Sequence, residues 1–93
     1  FNAAEAEMMG LVNRVVPVSE LESTVDSYAR TIADNAPLTV KAAKAAVNEG
    51  TKNSGERDLD RIAALVEACF NSDDYKEGRR AFMEKRPPRF QGH

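Results

Sequence analysis

Two residues near the C-terminus, Phe82 and Lys85, carry the side chains best suited to binding a ligand. They are three positions apart, so a continuous helix would place the aromatic ring and the ammonium group on one face. An aromatic ring can stack on a base, and an ammonium group can meet a phosphate. We therefore predict a contact site for a phosphorylated nucleotide, with core packing and solvated charge as the alternative.

Basic residues concentrate in the same part of the chain. Residues 79–93 contain five basic residues and one acidic residue, a net charge of +4, whereas the whole chain carries −2. The preceding residues therefore carry −6, and an anion is drawn to the C-terminal end. A nucleic-acid partner is not expected, because the overall charge is negative and no recognition motif is present. Four of the six aromatic residues lie between positions 70 and 90, namely Phe70, Tyr75, Phe82 and Phe90.

Side chains for catalysis are scarce. His93 is the only histidine and Cys69 the only cysteine, so a nucleophile–histidine pair, a zinc site and an internal disulfide are not expected. The acidic residues Asp73, Asp74 and Glu77 suit the start of a helix, where negative charge is favourable. We therefore assign no catalytic residue and no metal ligand in this chain.

The elements that must position these groups are mainly helices. The pattern predicts a helix end followed by a short strand, and then four amphipathic helices. Gly78 lies inside the last predicted helix, where glycine is unfavourable, so either a close contact or tolerated packing explains it. The predicted elements are a helix end over 3–9 capped by Gly10, a strand over 11–16, and helices over 19–35 with a capping box of Ser19 and Glu22, 37–48, 59–70 and 73–85.

The single predicted strand needs a partner outside these residues, because its backbone groups must be paired. An extended linker is the alternative for this segment. The chain is long enough for one small domain, and its start at Phe1 suggests a piece of a longer protein. It contains neither a long apolar run nor a signal peptide, so we expect a cytoplasmic location and no membrane partner.

Several stretches together resemble the C-terminal part of the enoyl-CoA hydratase/isomerase family, the crotonase superfamily. They are AAEA at 3–6, GLVNRVV at 10–16, APL at 36–38 with Lys44 beyond, and SDDYKEGRRAFMEKRPPRF at 72–90. The last stretch is the most specific of these, and the likeness runs in order along essentially the whole chain.

The resemblance implies a helical trimerisation and lid domain over residues 19–93, joined by residues 1–18 to a core that is not in this sequence. In the family, that core of repeated β-β-α turns supplies the oxyanion hole and, in the hydratases, two glutamates. The helical part covers the acyl-CoA site and helps to build trimers or hexamers. Phe82 would then lie near the adenine or pantetheine end of coenzyme A, and Lys85 near its phosphates.

The function implied by the resemblance is hydration of a 2-enoyl-CoA, a lyase reaction of fatty-acid or related acyl-CoA metabolism. Coenzyme A thioester is then the substrate, and no covalently bound cofactor is implied. We expect the 93 residues alone to be inactive. The alternative is a helical oligomerisation module of another family member, an isomerase, dehydratase or hydrolase. Acyl-chain preference stays open, as does whether Phe82 and Lys85 serve their own or a neighbouring subunit.

Overall fold

The computed structural model describes all 93 residues, and it is mainly helical as the sequence predicts. Five α-helices are joined by short connections, and a short 3₁₀ turn precedes the fourth helix. None of the helices has the length and apolar content needed to cross a membrane. The helices are α1 (Ala3–Met8), α2 (Val18–Ala33), α3 (Pro37–Gly50), α4 (Leu59–Asn71) and α5 (Asp73–Met83), and the 3₁₀ turn is Ser54–Glu56.

The strand expected over residues 11–16 is not formed. The chain bends over 11–13 and then continues without regular structure to Pro17. A strand needs a neighbouring strand for its backbone groups, and this chain contains none. The amide of Val15 instead donates to the Glu7 carboxylate at 3.0 Å.

The chain divides into two compact units, residues 1–31 and 32–93. In the first unit, Asn2 caps α1 by accepting from the Glu5 amide at 2.9 Å, and the Glu5 carboxylate accepts from the Asn2 amide at 2.8 Å. Gly10 has a φ of +74° directly after this helix, as the sequence predicts. Helix α2 begins at Val18, one residue before the predicted cap, so Ser19 lies inside its first turn.

In the second unit, α4 packs against both α3 and α5. Small residues on α3, Ala42 and Ala45, are buried and allow close approach. Glu49, at the end of α3, is only 3% exposed and accepts from the Lys52 side chain at 2.8 Å and from the Asp58 amide at 2.9 Å. These bonds tie the end of α3 to the start of α4.

The core of this chain is small. All four of its buried hydrophobic residues are alanines, and no large side chain is fully buried. Large apolar side chains of α2 and α4 are instead exposed, which leaves two apolar helix surfaces uncovered in this chain. The exposed residues include Val18, Leu21, Val25, Tyr28 and Ile32 on α2, and Leu59, Val66 and Phe70 on α4.

Candidate functional site

Helix α5 begins at a well-defined cap. The Ser72 hydroxyl accepts from the Tyr75 amide at 3.0 Å and donates to the Cys69 carbonyl at 2.7 Å. One serine therefore ends α4 and starts α5, and it fixes the direction in which α5 leaves. The Tyr75 ring meets Phe70 edge-on, with 5.2 Å between ring centroids, and so joins the two helices at the same corner.

The last eight residues, 86–93, return along α5, and we call them the C-terminal strap. Asp74 is 4% exposed, and its two oxygens accept from the amides of Gln91 at 2.6 Å and Gly92 at 2.7 Å. The Asp74 amide donates to the His93 carbonyl at 2.9 Å. Asp74 therefore fixes the end of the strap to the first turn of α5.

The strap also passes beside Gly78 of α5. A Cβ atom at this position would lie 3.4 Å from Cε1 and 3.7 Å from Cζ of Phe90. Both distances are ordinary van der Waals contacts, so the Phe90 ring packs beside this glycine and leaves room for a Cβ atom. Phe90 therefore contacts this position without requiring glycine there, which agrees with the alternative of tolerated packing.

Glu77 holds the start of the strap. Its oxygens accept from Nη1 and Nη2 of Arg86 at 2.7 and 3.1 Å, and from the Arg89 amide at 3.0 Å. The hydrogen bond from Arg86, followed by that from Arg89, lowers the pKa of Glu77 from its usual 4.5 to about 2. Arg86 also donates from Nε to Glu84 at 2.6 Å, and these two carboxylates raise its own pKa.

The predicted extension of the last helix to Lys85 is wrong. Helix α5 ends at Met83, and Lys85 has a φ of +53° in the turn that follows. Phe82 and Lys85 therefore do not share a face of a continuous helix, although both are exposed and Phe82 is 82% exposed. The two groups lie at the end of α5, on either side of the point where the helix stops.

Two cations at this end of the chain have no acidic partner. Neither Lys85 nor Arg89 forms a salt bridge, whereas Arg86 is paired with both Glu77 and Glu84. The charge of Arg80 acts on Glu77 and helps to lower the pKa of that carboxylate. Arg79 lies over the Tyr75 ring, 5.9 Å from its centroid. The positive charge predicted here is thus largely free to attract an anion.

An apolar groove of about 730 Å³ runs between α3 and α5. Small residues of α3 form one wall, and aromatic and methionine side chains of α5 and the strap form the other. Phe82 therefore borders both the groove and the basic end of the chain. The residues that line it include Ala42, Ala43, Ala46, Phe82, Met83 and Phe90.

Sequence reasoning missed the role of two acidic residues. It assigned Asp74 and Glu77 to the start of the helix, yet both accept hydrogen bonds from the strap. Asp73 fits the original interpretation, since it is exposed and pairs only with Lys76 at 2.7 Å. The three-residue spacing of Asp74 and Glu77, which places both on one helix face, was the available signal. The acidic residues, Cys69 and His93 form no cluster suited to a metal ion.

Comparison with known proteins gives a consistent result. A family model described as enoyl-CoA hydratase/isomerase matches residues 1–93. Crotonyl-CoA hydratase of Syntrophomonas wolfei is 42% identical over 89 residues, which are 96% of this chain and 34% of that protein. Methylmalonyl-CoA decarboxylase of Escherichia coli is 39% identical over 95 residues, covering 98% of this chain and 36% of the relative.

Solved structures agree with the sequence matches. An enoyl-CoA hydratase from Mycobacterium tuberculosis H37Rv superposes with a TM-score of 0.87 at 31% identity, over all of this chain and 37% of that one. An enoyl-CoA hydratase from Bacillus anthracis gives a TM-score of 0.84 at 36% identity, over 98% of this chain and 35% of that one. The chain therefore spans about a third of the length of the curated relatives and solved structures described here.

Proposed function

Because this chain belongs to the enoyl-CoA hydratase/isomerase family, the crotonase superfamily, we propose that it is the C-terminal helical part of an enoyl-CoA hydratase-like enzyme. In this proposal residues 19–93 form the helical domain, and residues 1–18 lead to it from an N-terminal core. The observation that carries the proposal is a match over the whole chain to relatives of which it spans only about a third.

The reaction we propose for the complete enzyme is addition of water to a 2-enoyl-CoA, in fatty-acid or related acyl-CoA metabolism in the cytoplasm. The catalytic groups would come from the core, and this chain would contribute to coenzyme A binding and to oligomerisation. The exposed apolar surfaces of α2 and α4 support this division, since they need a core domain or a neighbouring subunit to cover them.

Coenzyme A contact is assigned to Phe82 and Lys85. The exposed Phe82 ring offers a face for the adenine or pantetheine part of the molecule, and the unpaired Lys85 ammonium offers a charge to its phosphates. The surplus of free cations at this end supports an anionic ligand. Both groups lie where α5 ends, and Arg86 is already paired with Glu77 and Glu84.

The gene sequence directly upstream of Phe1 tests the proposed origin. We expect it to encode a core of repeated β-β-α turns, with two glutamates placed to activate water. A gene product consisting of these residues alone, with no affinity for coenzyme A in any assembly, would overturn the proposal. We also expect the purified 93-residue chain to show no hydratase turnover, and measurable turnover would contradict the assignment of catalysis to the core.

Lys85→Ala in the intact enzyme tests the ligand contact. We expect the affinity for a coenzyme A thioester to fall by up to about 1 kcal/mol, roughly fivefold, because an exposed ionic contact contributes that much at most. Its dependence on salt should weaken as well. Lys41→Ala, which removes an exposed lysine of α3, is the matched control and should leave both quantities unchanged. An unchanged affinity in Lys85→Ala would remove this residue from the site.

A second candidate is a helical oligomerisation module of another superfamily member, an isomerase, dehydratase or hydrolase. The exposed apolar residues of α2 and α4 favour it, because such surfaces commonly form subunit contacts. Sedimentation of the chain at high concentration tests this function. A strict monomer would count against it, whereas trimers or hexamers would support it.

A further inference from the structure

Lys85 has the only positive φ among the non-glycine residues of the chain. A side chain disfavours this conformation, so the surrounding structure must hold it. Backbone strain of this kind is concentrated at functional sites, where a side chain has to point in a particular direction. Other residues must therefore stabilise this turn and so fix the position of the Lys85 side chain.

The turn is fixed by bonds on both sides of Lys85. The Lys85 amide donates to the Phe82 carbonyl at 3.2 Å, and the Arg86 amide donates to the Ala81 carbonyl at 3.0 Å. The Arg86 side chain then returns to α5, where Glu77 accepts from both of its terminal nitrogens. Glu77 is thus the point on the helix to which the residue after Lys85 is tied.

The same contacts decide which of two adjacent cations is available to a ligand. Glu84 is the nearest acidic residue in sequence to Lys85, but its carboxylate accepts from Arg86 at 2.6 Å. Arg86 is therefore bound by two carboxylates, while Lys85 has no acidic partner. The salt bridges of Arg86 with Glu77 and Glu84 therefore stabilise the turn, and they leave the Lys85 ammonium without an acidic partner.

We propose that Glu77 is a positioning residue for Lys85: by binding Arg86 it holds the left-handed turn and so directs the Lys85 ammonium towards the phosphates of an acyl-CoA. This inference rests on the proposed function, which assigns phosphate contact to Lys85. Glu77 itself does not touch the ligand, since its oxygens are occupied by Arg86 and by the Arg89 amide. Its effect on binding must therefore pass through Lys85.

A double-mutant cycle in the intact enzyme tests the inference, with coenzyme A as the probe. We expect Glu77→Gln and Lys85→Ala each to weaken binding, by up to about fivefold for an exposed ionic contact. In the Lys85→Ala background, Glu77→Gln should cause no further loss, because the group it positions is gone. Losses that multiply in the double variant would overturn the positioning role and leave the proposed function standing. An unchanged affinity in Lys85→Ala would instead overturn the proposed function itself.

Asp74→Asn separates positioning from a general loss of the strap. Asp74 binds the far end of the strap at Gln91 and Gly92 and does not contact Arg86. We expect this variant to loosen the strap and to leave coenzyme A affinity within twofold of the unsubstituted enzyme. Equal loss of affinity in Asp74→Asn and Glu77→Gln would overturn the inference. Hydrogen exchange supplies a second readout, in which Glu77→Gln should speed exchange at residues 84–86 while the α5 amides stay protected.

Discussion

Helices α1 and α5 end with the same pattern of hydrogen bonds, but the residue with a positive φ is Gly10 after α1 and Lys85 after α5. After α1, the Leu11 amide donates to the Ala6 carbonyl at 2.9 Å, and Gly10 donates to Glu7 at 3.0 Å. After α5, the equivalent bonds are those of the Arg86 and Lys85 amides, at 3.0 and 3.2 Å. Both are Schellman motifs, in which one residue adopts a left-handed conformation.

The two ends differ in what holds them. Gly10 reaches a φ of +74° with nothing within 4 Å of the position of a Cβ atom, so its own conformational freedom is sufficient. Lys85 reaches +53° with a side chain, and the residue after it is tied to Glu77, nine positions earlier. A locally determined helix end thus needs only glycine, whereas a lysine at that place needs support from elsewhere in the chain.

The largest effect on stability is expected from Asp74→Ala, which releases the far end of the strap from α5. This change removes both acceptors of the Gln91 and Gly92 amides, and losing the partner of a partly buried donor costs about 1–3 kcal/mol. The free energy of unfolding in urea should fall by that amount. Asp73→Ala is the matched control, because this neighbouring carboxylate is exposed and bonds only to Lys76. Equal destabilisation by the two variants would show that the strap is not what Asp74 stabilises.

Substituting alanine at both helix ends tests the comparison directly. Gly10→Ala should destabilise the protein by up to about 1.6 kcal/mol, because the left-handed penalty of about 1–2 kcal/mol is partly offset by the lower entropy of the unfolded chain, about 0.4–1 kcal/mol. Lys85→Ala should lie within about 0.5 kcal/mol of zero, since a residue with a Cβ already occupies this position. Both values come from the same urea titrations. A similar loss at the two positions would mean that the ends are held in the same way.

This contrast also explains what the sequence predicted well. The end of α1 can be predicted from Gly10 alone, and its positive φ confirms that prediction. Lys85 carries no such local signal, and α5 ends before the predicted position. The salt bridge between Glu77 and Arg86 depends on how the strap folds back, which the local sequence does not show. Ser19 shows a smaller error of the same kind: the capping pattern is present, yet the helix starts one residue earlier.

In the candidate site, too, some features follow from the local sequence and others depend on distant contacts. Residue type and charge select Phe82 and the surplus of basic residues from the sequence, and the structure places them at the end of α5. Their contact with coenzyme A stays a prediction. The helical face expected to join Phe82 and Lys85 is absent, since it required α5 to continue. The strap-binding role of Asp74 was out of reach, because its partners are backbone amides 17 and 18 positions away.

A smaller effect, of opposite sign, is expected from Lys85→Gly. Glycine removes a left-handed penalty of about 1–2 kcal/mol, but it also gives back about 0.4–1 kcal/mol through the greater entropy of the unfolded chain. We therefore expect the free energy of unfolding to rise, by at most about 1.6 kcal/mol. Coenzyme A affinity should nevertheless fall as it does in Lys85→Ala. A loss of stability would mean that the lysine side chain itself supports the turn.

Protonation of Glu77 is expected to affect the end of α5 only at acid pH. Its pKa is lowered from 4.5 to about 2, so the ionised carboxylate stabilises the folded state fully above about pH 4.5 and loses this contribution as the pH falls towards 2. Amide hydrogen exchange at Arg86 should accelerate across this window, relative to the intrinsic rate at each pH, because the tie to Glu77 is released. Exchange at Leu11 should show no matching step, since Gly10 holds its turn without an ionised partner. In Glu77→Gln the Arg86 step should disappear. A step that persists in this variant would show that another group supports the end of α5.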